Sequence, residues 1–92
     1  MIVRYKPRAM KDLEAIYNYI ARVNPVAAKG VIRRIVRAID RLMILPLSGR
    51  RGAVRGTRIL AVPGLPYVVI HRVHEDVVDI VAVIHSARQR RS

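Results

Sequence analysis

The chain has 92 residues, of which 18 are Lys or Arg and 6 are Asp or Glu, for a formal net charge of +12. At 52% hydrophobic residues it is too apolar for a disordered basic tail, and with 0 Cys it has neither a disulfide framework nor a cysteine-ligated zinc site. No apolar run approaches the roughly 18 residues of a membrane span, and no signal-peptide stretch opens the chain, so a cytoplasmic protein with no membrane partner is expected.

The length fits one domain, residues 1–92, with room for one core. Residues 1–6 read as a strand, because 2–6 alternate in polarity and stop at Pro7. Residues 7–23 read as a helix: Pro7 suits a first turn, and Leu13, Ile16, Tyr17 and Ile20 make one apolar stripe. Asp12 and Glu14 lie near its positive end. Asn24 can cap a second helix, 25–45, with Pro25 in its first position. Ala28, Val31, Ile32, Ile35, Ile39 and Leu42 give that helix an apolar face, and Pro46 ends it. Lys29, Arg33, Arg37 and Arg41 recur every fourth residue on another side. The two helices form an antiparallel hairpin.

Residues 47–56 lose all period and form an Arg- and Gly-rich loop. Residues 57–85 read as a three-stranded meander, with strands over 57–62, 67–73 and 77–85. The turns at 63–66 and 74–76 are too short for parallel crossovers, so the strands pair antiparallel. A turn at Glu75-Asp76 sets Val73 opposite Val78, His71 opposite Ile80, Val69 opposite Ala82 and Tyr67 opposite Ile84. That face is expected on the helices. The other carries Val68, Ile70, Val81, Val83 and His85, with Arg72 and Asp79 as a cross-strand ion pair. Residues 86–92 form a basic tail with Arg88, Arg90 and Arg91. The fold class is therefore α+β, β-α-α-β-β-β, a helical hairpin on one face of a small antiparallel sheet whose other face is partly open.

The charge calls for an anionic partner: nucleic acid, ribosome or an acidic protein. The only aromatics are Tyr5, Tyr17, Tyr19 and Tyr67, poor equipment for stacking on successive bases. His85 closes the last strand, either satisfying local backbone or acting as a general acid or base. His71 reads as a core histidine and His74 as solvated. Arg50, Arg51, Arg55 and Arg58 cluster around Gly49, Gly52 and Gly56, either as a soluble loop or as a clamp for phosphate or carboxylate. Residues 41–74 hold no carboxylate, and no lysine follows Lys29. Such a thin catalytic set argues against a nuclease, and no carboxylate cluster suits a metal.

The chain resembles the RelE/ParE toxin superfamily of type II toxin–antitoxin systems, with the ParE-like branch favoured. The resemblance rests on the run from Tyr19 to Pro25 with Ala27-Ala28, on Leu45-Pro46 with Gly49-Arg50, on Gly56-Thr57-Arg58, on Pro66-Tyr67, and on Val83-Ile84-His85-Ser86-Ala87-Arg88. It implies a toxin neutralised by an acidic ParD- or RelB-like antitoxin, with no cofactor and no metal. Its target would be DNA gyrase, inhibited by binding through Arg50, Arg51, Arg58, His85 and Arg88. The alternative is a ribosome-dependent mRNA endoribonuclease, in which Arg58 and His85 match positions that carry the reaction. The Lys29, Arg33, Arg37 and Arg41 stripe is the candidate antitoxin surface.

Overall fold

In the computed structural model, which describes residues 1–89, two helices pack on one face of a five-stranded mixed sheet. The elements are β1 (Ile2–Tyr5), α1 (Pro7–Ala21), α2 (Pro25–Asp40), a 3-10 turn (Arg41–Met43), β2 (Arg50–Arg51), β3 (Arg58–Ala61), β4 (Tyr67–His74), β5 (Val77–His85) and a single turn, α3 (Ser86–Gln89). The sheet order is β1-β5-β4-β3-β2. Part of the expected tail, Arg90, Arg91 and Ser92, lies outside the described residues.

The helix joint forms as its chemistry dictates. Asn24 takes an extended conformation and its Oδ1 accepts the Ala27 N–H at 3.0 Å, with Pro25 opening the helix behind it. The facing stripes bury Ala9 and Leu13 of α1 with Ile35, Ala38 and Ile39 of α2, and Leu42 follows in the 3-10 turn. Val69 of β4 and Val78, Ile80 and Val83 of β5 close the core from the sheet side. The second helix stops earlier than the expected residue 45. Its α-helical bonds end at Asp40, and the chain tightens into the 3-10 turn before Pro46.

Three expectations about strand pairing are corrected. The sheet is mixed, because β1 pairs parallel with β5, from Ile2↔Val77 to Tyr5↔Ile80. The helical hairpin carries the chain back over the sheet, which permits a parallel neighbour that a short turn would forbid. The expected Arg/Gly loop contains β2, paired antiparallel with β3.

The third correction concerns register. Val73↔Val78, Arg72↔Asp79 and His71↔Ile80 pair as expected, but a bulge follows. Ile70 then pairs with Ala82, Val69 with Val83 and Tyr67 with His85, leaving Val81 as the extra residue. The slip turns Val83, not Ala82, into the helix-side core. It also brings the His85 ring edge-on to Tyr67, with centroids 5.8 Å apart. β1 ends at Tyr5, so among the described residues no strand covers the outer edge of β5 beyond Ile80. There the Asp12 carboxylate of α1 accepts the Val83 N–H at 2.9 Å. Asp79 forms its ion pair with Arg4 of β1, not with Arg72: Arg4 Nε lies 2.7 Å from Oδ1 and Nη2 lies 3.2 Å from Oδ2. This forked bond holds the Asp79 carboxyl below its ordinary pKa and raises that of Arg4. Arg72 reaches instead toward Gly56, where a Cβ would sit 3.6 Å from its Nε.

Candidate target-binding site

The arginine-rich segment folds into a two-stranded ribbon at the far edge of the sheet. β2 and β3 pair Arg50 with Ile59 and Arg51 with Arg58, and residues 52–57 close the end. The Gly52 N–H donates to the Thr57 carbonyl at 2.8 Å, and the Thr57 N–H donates to the Val54 carbonyl at 3.1 Å. A Cβ on Gly52 would strike the Thr57 side chain, so glycine is required at that close approach. Arg51, Arg55 and Arg58 line one cavity of about 320 Å³ beside this loop. Arg58 shares the helix-side face with His71, its partner across the β3–β4 pairing, and donates to the Gly49 carbonyl at 3.3 Å.

His71 is fully buried, as expected for a core histidine. Its Nε2 sits 3.1 Å from the Pro46 carbonyl, which only accepts, so Nε2 carries the proton and Nδ1 is left without a hydrogen-bond partner. Burial pushes its pKa down, and the nearby Arg58 charge pushes the same way, against the Pro46 and Val69 carbonyls. The ring therefore pins the crossing segment after α2 rather than serving as a proton carrier.

A second groove, of about 300 Å³, runs from the ribbon's closing loop (Gly52, Val54 and Thr57) across Ile59, Ile70 and Ile84 to Arg8 and Arg88. His85 is exposed, and its Nδ1 accepts the Ala87 N–H at 3.1 Å, capping α3. Nε2 is thus the free nitrogen. Arg58 and His85 stand apart: their β4 partners are His71 and Tyr67, four residues from each other. At about 3.3 Å per residue and about 4.8 Å per strand, their Cα atoms are roughly 16 Å apart. Lys29, Arg33 and Arg37 of α2 and Arg41 of the 3-10 turn are exposed, on a separate layer.

The family model described as "ParE toxin of type II toxin-antitoxin system, parDE" matches residues 3–90. The chain belongs to this ParE toxin family. Among its relatives, the candidate toxin Y4kP of Sinorhizobium fredii is 38% identical over 87 residues, covering 95% of this chain and 90% of the relative. Toxin RelE2 of Caulobacter vibrioides is 37% identical over 81 residues, covering 88% and 90%. A solved structure titled as a chromosomal ParDE system from P. aeruginosa superposes with a TM-score of 0.83 at 26% identity, over 92% of this chain and 95% of that one.

In this ParE-family toxin the sequence-nominated residues fall into three groups. Arg50, Arg51 and Arg58 lie on the ribbon, His85 at the end of β5 with Arg88 in the turn α3 that follows, and Lys29, Arg33 and Arg37 on α2 with Arg41 in the 3-10 turn after it. In the sequence Asp12 stands out only as a carboxylate near the positive end of the first helix, and Arg4 and Arg8 do not stand out at all. The bonds of Asp12 and Arg4 join residues 71 and 75 positions apart in the chain. The Arg51–Arg58 opposition had a signal: the two flank a segment bounded by Gly52 and by Gly56-Thr57, as in a hairpin.

Proposed function

We propose that this toxin inhibits DNA gyrase by binding, in the cytoplasm, and that an acidic antitoxin neutralises it. The ribbon arginines Arg50, Arg51 and Arg58 and the strand-end pair His85 and Arg88 form the target surface. The Lys29, Arg33, Arg37 and Arg41 stripe contributes to antitoxin recognition. The thin acid–base set carries the reading: of the residues nominated for the target surface, His85 alone is a candidate base or acid, the rest being arginines. An endoribonuclease needs its base, acid and phosphate-binding groups around one ribose, within hydrogen-bond reach of the reacting atoms. The carboxylate-free run 41–74 supports the same reading, because it supplies no alternative base.

The test combines purified toxin, gyrase and supercoiled plasmid. Gyrase-linked double-strand breaks are expected, with SOS induction in cells. Codon-phased cuts in translated mRNA, without gyrase-linked breaks, would overturn the proposal. His85→Ala separates the two mechanisms further. Binding predicts a loss of less than about tenfold, whereas proton transfer predicts roughly 10²–10⁴-fold in rate.

A further inference from the structure

We propose that Arg51, Arg55 and Arg58 form a binding site for a phosphate group. The first argument is the register. Arg51 and Arg58 are direct cross-strand partners in an antiparallel ribbon, so their side chains leave the same face side by side. Like charges so placed destabilise a sheet. Nothing neutralises them locally: no ion pair among the described residues involves Arg51, Arg55 or Arg58, and residues 41–74 carry no acid. The loop then returns a third guanidinium, Arg55, to the same cavity of about 320 Å³.

The second argument is pre-organisation. The roots of these side chains are held by the Gly52–Thr57 and Thr57–Val54 backbone bonds and by Gly56 at φ +84°, a conformation that only glycine takes without strain. A rigid loop spends little ordering entropy when an anion enters. The third argument is chemical. All three groups are guanidiniums, whose planar forks match phosphate oxygens, and a phosphate group presents three acceptor oxygens to three forks where a carboxylate presents two. The site deepens the target reading, since Arg51 and Arg58 belong to that surface. It rests on that reading only for the source of the phosphate.

The experiment uses the full chain at low ionic strength. Inorganic phosphate is titrated against sodium chloride at matched ionic strength, following amide resonances and the melting temperature. Labelled duplex DNA and labelled single-stranded RNA form two further arms, followed by anisotropy. Phosphate is expected to shift the Gly52, Gly56 and Thr57 amides and raise the melting temperature, where chloride does neither. Arg51→Ala and Arg55→Ala each weaken phosphate binding by roughly tenfold. Arg22→Ala, an equal charge loss at the helix joint, leaves it unchanged. In phosphate-free buffer Arg51→Ala raises the melting temperature, because it removes the repulsion facing Arg58. The polymer whose binding falls in Arg55→Ala supplies the phosphate. Equal effects of phosphate and chloride, or an Arg22→Ala loss as large as that of Arg55→Ala, would overturn the site. Phosphate binding without gyrase inhibition would sink the target reading alone; gyrase inhibition without phosphate binding would sink the site alone.

Discussion

His71→Leu converts the buried ring into an apolar side chain of similar volume, and it is expected to change the pH dependence of stability more than stability itself. At pH 8 the variant loses the Nε2–H bond to the Pro46 carbonyl. That carbonyl belongs to a half-buried residue and can rehydrate, so the cost is about 1 kcal/mol. Below neutrality the sign reverses. The folded pKa of His71 lies below its ordinary 6.5, so the unfolded chain binds a proton that the folded one refuses. Its stabilising contribution is complete above pH 6.5 and is lost as pH falls toward the folded value. Between pH 6.5 and 5.5 the ceiling on this loss is about 1 kcal/mol, reached when the folded ring takes up no proton. The stability difference therefore moves toward the variant as pH falls from 8 to 5.5, whichever protein leads at pH 8. Urea unfolding of both proteins across this range, at constant m, measures the difference, because the other titrating groups are common to both. A gap that stays constant from pH 8 to 5.5 would refute the argument: His71 would then titrate alike in the folded and unfolded chains.

Asp12→Ala leaves the Val83 N–H without its acceptor at the open edge of β5, and thermal unfolding should register a loss of about 1–3 kcal/mol. Asp12→Asn, which keeps an acceptor oxygen, should recover most of it. Asn24→Ala removes the cap of α2 and should cost about 1 kcal/mol in a denaturant titration, whereas Asn24→Ser costs little. Gly49→Ala places a Cβ against the Ile59 carbonyl at a φ of +90°. It should lower the melting temperature and lose target inhibition together, since the ribbon that carries Arg50 and Arg51 must shift.

The helical half of the fold was legible because its signals are local. Asn24-Pro25 marks a cap and a first turn within two residues, and the apolar stripes repeat at helical spacing. The β4–β5 turn was legible for the same reason, as far as His71 and Ile80. The bulge was not. Residues 80–84 are apolar throughout, so a one-residue slip exchanges one aliphatic side chain for another and leaves no mark on the pattern. The parallel pairing of β1 was hidden because nothing in a short alternating strand names its partner. Asp79 shows the consequence at one residue: Arg72 stands opposite it on β4 and Arg4 on β1, and only the geometry selects Arg4. The arginine cluster was visible as composition, but the flanking glycines only hinted at a hairpin, and the ribbon register was needed to set Arg51 opposite Arg58.

The pairing of β1 with β5 also sets when this toxin comes into being. The second residue of the chain pairs with Val77, and the core depends on Val78, Ile80 and Val83. A nascent chain lacking those residues has an unfilled core and a first strand with no neighbour. Contacts of such long sequence separation form late, since loop closure precedes any gain from them. Folding is thus deferred until synthesis is nearly finished, and a truncated product has no assembled sheet with which to poison its host.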